Sequence, residues 1–256
     1  MAKALKIRDL SLRDAQQTLF ASRMRTESIR TILPLYRKAG FYIMEVWGGD
    51  IPEVMMKHLN ESPWERLREC AEEMKGVSLL SAFSRGSALL GNTPYPNFVM
   101  EGFYKEALLN GLNVVRLFHP LNDVSDLTES VKIIKEYEGI ADFALCYADN
   151  PKPEPKPIPK KKGFFARLFG NDEEPEEIAE LYTDDYFIRT ALKMEKAGAR
   201  IITLSDSTGL MAPSKVYALM PKLKHHISVP VDFHACCSLG LGLASTLTAI
   251  LKGVDI

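Results

Sequence analysis

The chain has no run of eighteen apolar residues and no short apolar stretch behind a basic start, so nothing in it reads as a membrane span or a secretory leader. An excess of one charge is missing too. With 32 Lys and Arg against 33 Asp and Glu the net charge is −1, which leaves no electrostatic case for nucleic acid or an anionic membrane as partner. Cysteine is scarce: the 4 thiols, Cys70, Cys146, Cys236 and Cys237, are too few for a disulfide framework and suit a reducing compartment. These absences point to a soluble, cytoplasmic protein. What is plentiful is apolar residue, 46% of 256, enough to bury one large core; the length fits a (β/α)8 barrel as well as two small domains.

Short apolar runs alternate with amphipathic stretches, the pattern of repeated βα units around a parallel sheet. The runs predict strands near 5–10, 41–46, 78–83, 114–118, 141–147, 200–204 and 229–234. Helices are expected near 27–39, 52–58, 64–74, 97–110, 127–137, 184–197, 214–223 and 241–252. That makes an α/β protein of the (β/α)8 TIM-barrel class with most of its eighth strand lacking, since only Gly253, Val254, Asp255 and Ile256 remain to begin one. An open barrel would leave two unpaired edges, so the sequence is expected to be a fragment, or to be completed by another polypeptide. A short variant that skips the strand is the alternative.

One segment breaks the alternation. Residues 150–182 hold six prolines, the basic Lys160, Lys161 and Lys162, a Phe-rich island at 164–169 and an acidic run at 172–180. Such composition cannot bury enough apolar surface to fold, and a poorly ordered insertion within the 1–256 barrel is expected.

In a (β/α)8 barrel the reacting groups stand at the C-terminal ends of the strands. The segments that fall there include Arg13-Asp14-Ala15-Gln16-Gln17, Glu45-Val46-Trp47-Gly48-Gly49, Ser84-Arg85-Gly86, Arg116-Leu117-Phe118-His119, Cys146-Tyr147, Ser205-Asp206-Ser207 and His234-Ala235-Cys236-Cys237. Taken in order and spacing, they resemble the biotin-dependent carboxyltransferases: the pyruvate carboxylase carboxyltransferase, as a domain or as a separate chain, and the oxaloacetate decarboxylase α subunit. The resemblance covers essentially the whole chain. It implies carboxyl transfer or decarboxylation involving pyruvate or oxaloacetate, with biotin presented by a separate carrier protein or domain and a homo- or hetero-oligomeric assembly.

The resemblance also implies a divalent metal, with Asp14 and His234 on ligand positions. Two positions depart from the family pattern. Ser205 stands where a carbamylated lysine is expected, and Cys236 where a second histidine is expected. Asp14, His234 and Cys236 would make a partial zinc set; otherwise the site has decayed, with Asp14 and His234 hydrogen-bonded to each other. On the substrate side Arg85 and Gln17 match the residues that hold the keto acid, as catalytic and substrate-binding groups. His119 replaces an acid and is either a base or a packing compensation. Two further readings stay open: a catalytically inactive paralogue that scaffolds a biotin-dependent complex, and a lyase of the aldolase type, suggested by Asp206-Ser207-Thr208-Gly209.

Overall fold

The computed structural model describes residues 4–150 and 181–256. Seven strands form one sheet in chain order, each parallel to the last: β1 (Arg8–Asp9), β2 (Ile43–Gly48), β3 (Leu79–Ser84), β4 (Val114–Phe118), β5 (Ile140–Cys146), β6 (Ile201–Asp206) and β7 (Val231–Ala235). Between them run α1 (Gln16–Phe20), α2 (Thr26–Ala39), α3 (Ile51–Val54), α4 (Pro63–Met74), α5 (Asn97–Leu109), α6 (Thr128–Glu136), α7 (Asp184–Ala197), α8 (Pro213–His226) and α9 (Gly242–Leu251). Strands covered on both faces are apolar almost throughout, and β2 and β6 are buried at every residue. Local signals set the helix starts. Ser62 accepts the Glu65 N–H at 3.3 Å just before Pro63, and Thr183 does the same for Tyr186 at 3.2 Å.

The sheet curls into an open barrel, and among the described residues no eighth strand is formed. Arg8 of β1 pairs with Asp142 of β5, and its Nε lies 3.1 Å from Asp232 of β7, so side chains from the first and last strands meet across the interior. Arg116 of β4 sits among three acids: Asp232 at 3.2 Å, Asp142 at 3.3 Å and Glu45 at 3.5 Å. Thr203 of β6 donates to Asp142 at 2.8 Å. Arg13 closes the set on Glu45 at 2.6 Å, so three guanidinium groups balance three carboxylates in a core that water does not reach.

The two edges do not pair with each other. A gap of about 150 Å³, lined by Ile7, Arg8, Phe233, Thr246, Ala249 and Ile256, lies between them. Beyond α9 the chain turns back along β7: Asp255 N–H donates to Val231 O at 2.9 Å and Phe233 N–H to Ile256 O at 3.1 Å. The residues read as an incipient strand thus do begin a ladder on β7.

The predicted elements lie within a few residues of the observed ones: β1 is shorter than expected, α3 stops at Val54, α8 runs on to His226, and β2 continues past Val46 to Gly48. At β2 the cause is aromatic packing: Trp47 is buried, stacked on Phe103 at 5.7 Å and edge-on to Trp64 at 4.9 Å. Most of the 150–182 insertion falls outside the described residues. Its two ends are tied together, because the Asn150 side-chain oxygen accepts the N–H groups of Leu181 and Tyr182, both at 2.8 Å.

Candidate active site at the C-terminal mouth

The turn after β1 places its charged residues by a tight helical loop over Ser11–Ala15. Arg13 turns inward: its Nε donates to Glu45 at 2.6 Å, its guanidinium lies 5.1 Å from the centre of the Phe83 ring, and its Nη1 donates to Asp14 at 2.8 Å. Asp14 itself is half exposed. Gln16 folds back onto the Leu12 carbonyl at 2.5 Å and is buried. Gln17 stays partly exposed beside Gly49, whose missing side chain leaves room for the amide; a Cβ there would come within 2.9 Å of Gln17 Oε1. Among the described residues the Gln17 amide makes no hydrogen bond.

Arg85 follows directly on β3. Its Nη1 donates to Gly91 O at 3.0 Å and to Asn92 Oδ1 at 2.7 Å, and no acid of the described residues pairs with it. The guanidinium is therefore fixed by neutral acceptors and keeps its charge for something else.

At the ends of β6 and β7, Ser205 Oγ lies 3.3 Å from His234 Nδ1 and 3.3 Å from Ser207 Oγ. The His234 imidazole is pushed down to about 4, by burial first and then by the Arg116 charge, so it is neutral at ordinary pH. Burial, then the charges of Asp14 and Asp206, pushes the Cys236 thiol up. Asp206 is committed to its own loop: it accepts from Thr208 Oγ1 at 3.0 Å and from the N–H groups of Gly209, Leu210 and Met211 at 2.9, 3.1 and 2.8 Å. Gly209 permits this turn, since a Cβ there would meet Cys236 O at 2.8 Å.

Asp14, His234 and Cys236 thus face one mouth together with Ser205, but Asp14 and His234 have different partners. The expected Asp14–His234 hydrogen bond is not formed: Asp14 is taken by Arg13 and His234 by Ser205. Among the described residues, no three of His, Cys, Asp and Glu stand close enough to hold a metal ion. The donors present do not fit the metal that the resemblance implies, because the hydroxyl of Ser205 cannot carry a carbamate and no three donors of the described residues converge. His119 accepts the N–H groups of Leu121 and Asp123 at 3.3 and 3.1 Å through Nδ1 and so caps its own loop.

Sequence reading missed the charged floor beneath this mouth. Its signal was there: Glu45, Arg116, Asp142 and Asp232 are single charges inside otherwise apolar strands, one per strand. A charge in a buried run must have a partner, and four at similar depth imply one shared network.

Residues 173–256 match the family model described as HMGL-like. A pyruvate carboxylase subunit of Methanocaldococcus jannaschii is 34% identical over 98% of this chain and 39% of its own length. The 2-oxoglutarate carboxylase large subunit of Hydrogenobacter thermophilus is 31% identical over 99% of this chain and 35% of its own. Among solved structures, the carboxyl transferase domain of Rhizobium etli pyruvate carboxylase with pyruvate superposes at a TM-score of 0.83, and the same domain with pyruvate and biocytin at 0.84; both are 31% identical and cover 99% of this chain and 39% of theirs. The chain therefore spans about two fifths of the length of these relatives. By sequence along its length and by fold, this chain is a relative of the carboxyltransferase domain of pyruvate carboxylase, with an HMGL-like region over residues 173–256.

Proposed function

We propose that the chain holds a 2-keto acid, pyruvate or oxaloacetate, at the C-terminal mouth of the sheet, for carboxyl exchange with biotin brought by a separate carrier protein or domain. The observation that carries this reading is Arg85, a guanidinium fixed at the end of β3 by Gly91 O and Asn92 Oδ1 with no acid among the described residues to neutralise it. A planar, permanently charged fork of this kind suits the carboxylate of a keto acid. Gln17 offers N–H donors to the keto oxygen, where negative charge gathers when a carboxyl group leaves or an enolate attacks. Biotin would supply the carboxyl group or accept it. Assembly with the carrier and with further subunits follows from the same reading, as does a cytoplasmic site of action; no helix among the described residues is long and apolar enough to cross a membrane.

Calorimetry with pyruvate tests the reading. The wild-type chain is expected to bind pyruvate, and Arg85→Ala to weaken binding about ten- to a hundredfold, the usual loss for a hydrogen-bonded charge pair. Arg85→Lys should recover only part of it, since a point charge cannot reproduce the fork. An unchanged affinity in Arg85→Ala would overturn the assignment.

A second reading, a carboxyltransferase-like paralogue that serves as a scaffold, is favoured by the separate partners of Asp14 and His234 and by the lack of a converging donor set among the described residues. It predicts carrier binding without keto-acid binding.

A further inference from the structure

We infer that this mouth operates without a bound metal ion, its positive charge coming from guanidinium groups of the chain itself. The inference deepens the keto-acid reading by naming what a 2-keto acid meets there. Its first ground is the use already made of Asp14. The Oδ1 of that carboxylate accepts Arg13 Nη1 at 2.8 Å, and Arg13 is in turn anchored to buried Glu45 at 2.6 Å, so the pair is tied to the floor of the barrel. A metal at Asp14 would have to share that carboxylate with a fixed cation.

The second ground is the other side of the mouth. His234 Nδ1 faces Ser205 Oγ at 3.3 Å, and Ser205 faces Ser207 at 3.3 Å, so a run of neutral hydroxyls fills the place opposite Asp14. The remaining carboxylate, Asp206, is closed on its loop by three N–H groups and the Thr208 hydroxyl. A catalytic divalent site needs about three protein donors converging on one point, with anionic charge to offset the ion. Here Asp14 shares the Arg13 guanidinium with Glu45, Asp206 is spent on backbone, and the donors do not converge.

What remains suits an organic anion. Arg85 is fixed and without an acid partner among the described residues, and the Gln17 amide, beside Gly49 at the end of β2, is free to donate. Small 2-keto acids carry the carboxylate and carbonyl that these two groups can meet.

Elemental analysis of the full chain, purified without chelator, is the direct test, followed by calorimetric titration with zinc and with manganese, and with pyruvate in the presence and absence of EDTA. Far less than one metal ion per chain is expected, with no change in pyruvate affinity on adding EDTA. One zinc or manganese per chain that is lost in both Asp14→Asn and Cys236→Ala would overturn the inference, as would pyruvate binding abolished by EDTA. Zinc taken up by the exposed neighbours His225 and His226, whose rings are 5.1 Å apart, would survive both substitutions and leave the inference standing. If neither metal nor pyruvate binds under any condition, the keto-acid reading fails while the mouth is confirmed as metal-free.

Discussion

Replacing Arg116 by Leu is expected to destabilise the protein by about 3–5 kcal/mol, the usual cost of breaking a buried ion pair from one side. The loss follows from position. Arg116 is buried on β4 with Asp142, Asp232 and Glu45 around it at 3.2–3.5 Å, and leucine would leave those carboxylates with fewer cations than charges. Arg8 and Arg13 cannot take over, since each is already held by its own acids. Against a total stability of about 5–15 kcal/mol, the change should appear as a large drop in the urea midpoint. The acid limit should move as well. Burial alone would raise the Glu45 carboxyl, but Arg116, Arg13 and Arg8 outweigh it and hold the group below the usual glutamate range. A depressed carboxylate stabilises the fold above its unfolded value, about 4.3, and loses that contribution as pH falls through the folded value. With Arg116 gone, the largest of those cations is removed, so acid unfolding should begin at higher pH. A urea shift worth less than about 1 kcal/mol would mean that water enters the network and screens it.

The order of strands and helices was legible because each βα unit carries its own periodicity, and β4 and α7 coincide with the predicted 114–118 and 184–197. Strand ends were less legible where packing decides them. Gly48 joins β2 because Trp47 is buried between Phe103 and Trp64, partners that lie 56 and 17 residues further along the chain. At the site, the strand-end positions of Asp14, Arg85, Ser205 and His234 could be read in advance, but their partners could not. Whether Asp14 meets His234 or Arg13 depends on side-chain direction within a five-residue loop, and no spacing rule encodes that. The partners of Arg85 were equally hidden: the side chain is partly exposed, and carbonyl and amide oxygens hold it.

Gly48→Ala is expected to cost more than about 3 kcal/mol, combining backbone strain with a collision that no rotamer can relieve. The residue ends β2 at a φ of +119°, a conformation open to glycine and strained for any other residue. A Cβ there would stand 2.4 Å from Phe83 O and 2.6 Å from Phe83 N, backbone atoms of the neighbouring strand that cannot swing aside. The sheet would have to open between β2 and β3, just where Phe83 supports Arg13 and where Arg85 follows two residues later. Stability and pyruvate affinity should therefore fall together. Gly40→Ala provides the comparison: its φ of +64° is also left-handed, but nothing lies within 4 Å of the added carbon, so only the conformational cost of about 1–2 kcal/mol is expected. Urea unfolding of the two variants beside the wild type measures the difference. Equal losses would show that conformation alone matters at Gly48 and that the β2–β3 contact yields; a larger loss at Gly48, with weakened pyruvate binding, would show that this close approach of two strands holds Arg85 in place.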